Sequence, residues 1–387
     1  MNGVVMVINE FAPVAGGAEK QAERLAGHLA ARGESVWVVT RRFPGLASNE
    51  EMNGFQVLRP AAWGPGKLKT ISFVLGCLWH LWRLRKSYKI LHAHLLFGPA
   101  FAATLAGRIL GKRVIVKLGS SGIYGEIHKS RQTLRGRLTL TLLRLWVNGV
   151  VVLDSDMEAE VVSAGFPVEH IFRMSNGIDA MSFAGSKSRE NAKQDMGLQN
   201  KTLVLFVGRL VIQKSIPTLL EAMMIAVQSC PNLHLILVGG GVERGSLEAL
   251  VRDLGIQEFV TFAGNQVDVK PFLSAADIFV LPSEKEGMSN ALLEAMAAGV
   301  ACLASPVGAS PQMLDRGRCG LLLPVGDVAA WADALENLTR DPIRREELGA
   351  AARQRVIDEY DFSVVGSKYE ALYRNLIKRE LDQAKAV

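Results

Sequence analysis

Cysteine is scarce in this chain and widely scattered. Cys77, Cys230, Cys302 and Cys319 are its four cysteines among 387 residues, with no C-x-x-C pair. That spacing argues against a disulfide scaffold or a cysteine-built zinc site, and points to reduced thiols in a cytosolic setting. A long uncharged apolar run is also lacking. The longest, "ISFVLGCLWHLW" (71–82), contains a histidine and falls short of the roughly 20 residues a bilayer-spanning helix needs. The opening "MNGVVMVINEFAP" has neither a basic n-region nor an apolar h-region, so no signal peptide is expected. Acidic residues are missing from one region: residues 59–144 hold 16 Lys and Arg and a single acid, Glu126. Residues 1–180 carry 22 basic and 13 acidic side chains, the remainder 22 and 25, for a net charge of +6. A field so one-sided favours an anionic partner: nucleic acid, anionic lipid or a phosphorylated substrate. The chain has no RRM, zinc-finger or helix-turn-helix signature, which weakens the nucleic-acid reading.

Hydrophobic content of 49% and charged content of 21% describe a globular protein, and the length calls for two domains. Apolar strands alternate with helical patterns. "GVVMVI" (3–8), "SVWVVT" (35–40), "ILHAHL" (90–95), "RVIVKL" (113–118) and "GVVVLD" (149–154) form the first series. "TLVLFVG" (202–208), "LHLILVGGG" (233–241), "FVTFAG" (259–264), "DIFVLPS" (277–283), "ACLAS" (301–305) and "GLLLP" (320–324) form the second. Near-continuous apolar strands separated by helices predict parallel sheets covered on both faces. The polar stretch 176–201 reads as the linker between them. The expected division is 1–180, 181–365 and a C-terminal helix 366–387 that crosses back to the first domain. Two doubly wound halves would face a central cleft, with ligands beyond the carboxyl ends of the strands.

Several residues at those ends could carry chemistry. Arg209 and Lys214, in "VGRLVIQKS", are either two surface cations or a clamp for a diphosphate. Gly239, Gly240 and Gly241 make a tight turn, or let backbone approach an anion at a helix start. Gly16 and Gly17, before a helix bearing Glu19, leave the same two options open. In "EKEGMSNALLEAMAAG" (284–299), Glu286 lies in a glycine-containing loop, Ser289 or Asn290 can cap the next helix, and Glu294 lies inside it among apolar residues. A charged loop and solvated helix is one reading. The other is a pair of carboxylates needing donors, which sugar hydroxyls or a ribose diol would supply. His92 and His94 end a strand, where His94 is either a core histidine or a contact to acceptor or sugar.

"PSEKEGMSNALLEAMAAG", with "VGRLVIQKS", "NGID" and "GGAE", resembles the large retaining glycosyltransferase family 4 of GT-B fold, also called glycosyl transferases group 1. The likeness covers nearly the whole chain and is most specific over 204–326. It implies an α/β GT-B fold and transfer of a sugar from a UDP- or GDP-linked donor, with retention of configuration and neither cofactor nor metal. By matching position, Glu286 contacts hydroxyls of the donor sugar, with Gly287, Met288, Ser289 and Asn290 assisting. Glu294 holds the ribose, and Arg209 and Lys214 hold the diphosphate. Gly16 and Gly17 lie near the diphosphate and acceptor. Gly241 and the segment from Gly264 through Asn265 to Val267 complete the donor site, the latter at the base. Gly119 and Ser120 follow Leu118, which stands where many relatives have a histidine near the sugar. Gln312 stands where they have an acid.

Two basic helical stretches complete the reading. "KLKTISFVLGCLWHLWRLRKSYK" (67–89) sets Ile71, Val74, Leu75, Leu78 and Trp82 at helical spacing, joined by Trp79. "HKSRQTLRGRLTLTLLRLW" (128–146) reads as a second basic, leucine-bearing helix. Either these faces pack on the first sheet or they lie in an anionic membrane surface. The expected partners are therefore a nucleotide sugar, a glycan or lipid-linked acceptor and an anionic membrane surface, with the enzyme cytoplasmic and peripheral on the inner face of the cell membrane. The competing readings are a nucleotide-sugar epimerase or phosphorylase on the same fold, and a basic nucleic-acid-binding protein.

Overall fold

The computed structural model describes residues 3–13, 16–122, 125–183 and 188–385. The chain forms two units, Met1–Gly177 with Phe362–Val387, and Ile178–Asp361.

In chain order the first unit runs β1 (Val4–Val7), α1 (Gly17–Ala31), β2 (Val36–Val39), β3 (Asn49–Met52), β4 (Phe55–Leu58), α2 (Lys67–Arg83), β5 (Ile90–His94), α3 (Gly98–Leu110), β6 (Arg113–Lys117), α4 (Glu126–Arg131), α5 (Leu134–Trp146), β7 (Gly149–Val152), α6 (Ser155–Ser163) and β8 (Ile171–Arg173). The second runs α7 (Arg189–Asp195), β9 (Thr202–Val207), α8 (Ile216–Ser229), β10 (Leu233–Val238), α9 (Arg244–Asp253), β11 (Val260–Gly264), α10 (Lys270–Ala275), β12 (Ile278–Leu281), α11 (Asn290–Ala297), β13 (Ala301–Ala304), α12 (Ser310–Met313), β14 (Leu321–Leu322), α13 (Val328–Arg340) and α14 (Pro342–Arg355). The last helix, α15 (Phe362–Lys385), belongs to the first unit.

Both sheets are doubly wound. The first has the order β3-β4-β2-β1-β5-β6-β7-β8 and is parallel except for β3 against β4; the second is β11-β10-β9-β12-β13-β14, parallel throughout. Each therefore reverses direction of winding beside its first strand, between β1 and β5 and between β9 and β12. These are the points where crevices form at the strands' carboxyl ends. The apolar strands are buried because helices cover both faces.

The sequence reading missed the β3–β4 hairpin because "NEEM" is polar and its strand is largely exposed. The signal was present nonetheless: Asn53 and Gly54 both adopt positive φ (47° and 80°), the turn that an Asn-Gly pair makes readily. The stretch 176–201, expected as a linker, instead supplies α7 to the second unit. Lys193 Nζ lies 2.6 Å from Asp277 Oδ2, and Asp277 also accepts from the Leu203 amide at 2.7 Å. The basic stretch 128–146 lies in two helices rather than one. Thr133 interrupts it and caps α5, its Oγ1 accepting from the Gly136 amide at 3.0 Å.

The C-terminal helix completes the core of the first unit. Val365, Tyr369, Leu372, Tyr373 and Leu376 pack against β1 and α1 residues such as Val4, Met6, Leu25 and Leu29. The close approach needs Gly366, where a Cβ would stand 2.3 Å from the His28 ring. Glu370, almost fully buried, meets His28 Nε2 at 3.2 Å and Arg32 Nε at 3.3 Å.

Candidate functional site in the second unit

β9 and β12 are neighbours in the sheet, so the loops that follow them meet although 72 residues separate Lys214 from Glu286. After β9 the chain makes one tight turn over Ile212–Lys214. It leaves that turn through Ser215, at φ +47°, into α8. The Glu284 amide donates to the Gln213 carbonyl at 3.0 Å, which ties the two loops together. Lys214 Nζ is ion-paired with Glu286 Oε1, and both side chains are nearly buried, at 12% and 11% exposure. Ser283 Oγ donates to the same carboxylate oxygen at 2.7 Å. Glu286 is thus oriented by one cation and one hydroxyl, and its other oxygen retains lone pairs for further donors.

The backbone beneath Glu286 is held as closely. The Ala309 amide donates to the Gly287 carbonyl at 2.8 Å. Gly308, at φ +55°, faces this turn so tightly that a Cβ would lie 2.4 Å from the Gly287 oxygen. Ser289 caps α11, its Oγ accepting from the Leu292 amide at 3.3 Å. Glu294 follows on the first turns of that helix and is 5% exposed. Met288 and Ser289 are buried with it.

The loops after β9, β10 and β11 interlock. The Leu210 amide donates to the Gly240 carbonyl at 2.9 Å and the Gly239 amide to the Gly264 carbonyl at 2.7 Å. Gly241 allows the contact: a Cβ there would stand 2.1 Å from the Leu210 carbonyl oxygen, a backbone atom that cannot swing aside. Arg209 is exposed at this edge; Asn265 lies beside Gly240, and Gln266 and Val267, exposed, follow it in the chain. Gly241→Ala is expected to push the β9 and β10 loops apart. A shift of that kind costs on the order of 10²-fold in turnover, to be read as loss of nucleoside diphosphate release at unchanged secondary structure. Among the described residues no cluster of three or more His, Cys, Asp or Glu side chains is placed to hold a metal ion.

The candidates of the first unit lie at its own helix start and strand ends. Gly16 caps α1, where a Cβ would meet the Glu19 carboxylate at 2.1 Å. Gly17 opens the helix. Burial pushes the Glu19 carboxyl up. His94 is buried and stacked on His92, ring centroids 4.3 Å apart. Burial and the nearby Lys117 push it down to about 3. The Gly119 and Ser120 amides point to the Glu126 carboxylate, at 3.1 and 3.4 Å. Leu118 is buried.

Sequence reasoning gave no role to Lys117, Glu126, Asn176, Tyr369 or Tyr373. Lys117 Nζ donates to Asn176 Oδ1 at 2.8 Å, and burial lowers the ammonium to about 7. His92 Nδ1 pairs with the Tyr373 hydroxyl at 2.7 Å. A lysine closing an apolar strand was the available sign for Lys117. For Glu126 it was its being the only acid in 59–144.

Burial raises Glu126 to about 7, outweighing the amides that favour its ionised form. Because the folded carboxyl holds its proton to higher pH than the unfolded one, its contribution to stability is complete at low pH. That contribution is lost as pH rises from about 4.5 towards 7. Glu126→Gln should flatten this part of the pH dependence in urea unfolding; a slope equal to wild type would count against it.

The family models divide the chain as the fold does. "Glycosyltransferase Family 4" matches residues 15–181 and "Glycosyl transferases group 1" matches residues 188–355. The chain belongs to glycosyltransferase family 4. This glycosyltransferase is 27% identical over 295 residues to the N-acetyl-alpha-D-glucosaminyl L-malate synthase of Bacillus anthracis, which covers 76% of each chain. It is 25% identical to the GDP-mannose-dependent alpha-(1-6)-phosphatidylinositol monomannoside mannosyltransferase of Mycolicibacterium smegmatis, over 98% of this chain and 100% of that one. Among solved structures, Anabaena HepE in complex with UDP superposes with a TM-score of 0.79 at 17% identity, covering 96% of this chain and all of the other. The fold is accordingly GT-B, and the enzyme is a retaining glycosyltransferase that uses a nucleotide-sugar donor.

Proposed function

We propose that this glycosyltransferase binds a UDP- or GDP-linked sugar at the β9–β12 edge of the second unit. It passes the sugar to a glycan or lipid-linked acceptor in the making of a cell-surface polysaccharide or glycolipid. The observation that carries the reading is the Lys214–Glu286–Ser283 arrangement at the winding reversal of the sheet. Lys214 has three donors, and Arg209 adds a planar fork at the same edge, so the two can follow the charge that grows on a departing diphosphate. Glu286 accepts from hydroxyls of the transferred sugar, and Glu294 from the ribose. Asn265 to Val267 line the edge where the base lies.

In the reaction the bond between the anomeric carbon and the phosphate oxygen breaks as the acceptor oxygen bonds to the same face of that carbon. The departing phosphate oxygen takes the acceptor's hydroxyl proton. Configuration is thereby retained without a protein nucleophile, and the protein's part is positioning and electrostatic stabilisation. Release of nucleoside diphosphate from a panel of UDP- and GDP-sugars, offered with glycan and lipid-extract acceptors, tests this. No release with any pair would overturn it.

The acceptor reading draws on the first unit's surface. α2 carries two apolar faces. Phe73, Val74, Cys77 and Leu81 pack inward, while Leu68, Ile71, Leu75, Trp79 and Trp82 form an exposed stripe. Leu134, Leu138 and Leu145 are exposed on α5. Of the residues grouped from the sequence, Val74 therefore belongs to the core and Ile71, Leu75, Trp79 and Trp82 to the surface. Arg83 and Arg85 sit over the Trp79 and Trp82 rings at 5.4 and 4.2 Å, joining cations to the apolar stripe. Among the described residues no helix is long and apolar enough to cross a membrane. A basic stripe with tryptophan suits the interface of an anionic leaflet instead. The Leu75→Ser/Trp79→Ser double variant should stop floating with anionic vesicles while keeping its thermal midpoint; undiminished flotation would refute the membrane face.

A further inference from the structure

A cavity of about 520 Å³ opens in the first unit among α2, α3, α4 and α5. Its walls are largely hydrocarbon: Leu96, Phe97, Phe101 and Leu138, with the side chains of Thr70 and Thr139. Lys129 and Arg135 also line it and are exposed to solvent, so they stand at its rim; Ser130 and Thr133 add hydroxyls. No Asp or Glu is among its lining residues. The one acid of this basic region, Glu126, is buried on α4 and turned to the Gly119 and Ser120 amides. α2 and α5, which supply Thr70 and Leu138, are the helices that carry the exposed apolar stripes.

We propose that this cavity is a lipid-binding site. It takes a hydrocarbon chain of a phosphate-bearing membrane lipid, whose phosphate lies at the rim between Lys129 and Arg135. Three features point to this occupant. The size is that of a pocket for a single small molecule or one chain, too small for a folded partner. The interior offers apolar contact and few hydrogen-bonding groups, which suits an alkyl or prenyl chain and does not suit a sugar. The rim is cationic only, which selects an anionic head over a neutral one. A lipid drawn from the leaflet would enter beside helices already suited to lie on it. The inference rests on the membrane-facing part of the proposed function, yet the two fail in different experiments.

Gly98, the first residue of α3, lines the cavity, and a Cβ built there meets nothing within 4 Å. Gly98→Phe therefore places a ring at the cavity wall without straining the backbone. The probe is dihexanoyl phosphatidic acid held below its micelle concentration, titrated into the full-length protein by calorimetry. Glycerol 3-phosphate and dihexanoyl phosphatidylcholine serve as controls. Wild type should bind phosphatidic acid at least about tenfold more tightly than either control. Gly98→Phe should lose at least about tenfold of that affinity while still floating with anionic vesicles. The surface pair Lys129→Gln/Arg135→Gln, which leaves the walls intact, should bring phosphatidic acid down to the phosphatidylcholine level. Equal binding of glycerol 3-phosphate would mean a phosphate site without a lipid chain and would overturn the proposal. So would undiminished phosphatidic acid binding by Gly98→Phe. Retained monomer binding with no flotation of wild type would sink the membrane face and leave the cavity assignment standing.

Discussion

Replacing Glu286 by alanine is expected to lower turnover by on the order of 10²–10³-fold, the cost of removing one preorganised group that acts on the transition state. The side chain is nearly buried, held by Ser283 at 2.7 Å and paired with Lys214. Under the proposed function, truncation removes the acceptor for the sugar's hydroxyls; it also frees Lys214 from its partner. Glu286→Gln keeps the shape and the bond to Ser283 but abolishes the ion pair, so it separates the two effects. Because Lys214 and Glu286 touch, their substitutions should not add. The double variant Lys214→Ala/Glu286→Ala should lose less than the product of the single losses. Initial rates of nucleoside diphosphate release check all three. Turnover within a few-fold of wild type in Glu286→Ala would remove the assigned site.

Truncating Tyr373 on α15 should produce the largest loss of stability. The residue is fully buried in the core of the first unit, and its hydroxyl pairs with Nδ1 of the buried His92 ring at 2.7 Å. Tyr373→Ala deletes an aromatic side chain from that core, at a cost of about 3–5 kcal/mol. It also strands His92 Nδ1. Tyr373→Phe retains the packing and loses only the hydrogen bond, for about 1–3 kcal/mol. Urea unfolding followed by tryptophan fluorescence gives both numbers. Equal losses in the two variants would mean that the hydroxyl rather than the ring holds α15 in place. Negligible loss in both would mean that the helix is not part of this core.

Much of this was readable in the chain. Each strand named from the sequence is present, because a strand buried on both faces is written as an unbroken apolar run. "TLVLFVG" and "DIFVLPS" could hardly be anything else. The glutamates, cations and glycines of the second unit were singled out as candidates because their residue types stand at the ends of such runs, and the roles proposed for them came from the resemblance. β3 was overlooked because an exposed edge strand has no apolar run to betray it. Residues 176–201 looked like a linker because α7 is polar on most of its surface and buries only Ala192.

The sequence by itself determined the alternation of strands and helices, the two-part architecture, the basic character of the first half and the residue types available at each strand end. These follow from local rules: periodicity, capping, glycine's tolerance of positive φ, and charge counted along the chain. Only the tertiary structure decided that Lys214 meets Glu286, that α2 splits its apolar residues between core and solvent, and that α15 closes over His92 and Lys117. It also gathered Lys129, Arg135 and Phe101 around one cavity. Those outcomes depend on which strands become neighbours and which helix face turns inward. They are set by burying apolar area over the whole unit, which no short stretch of sequence records.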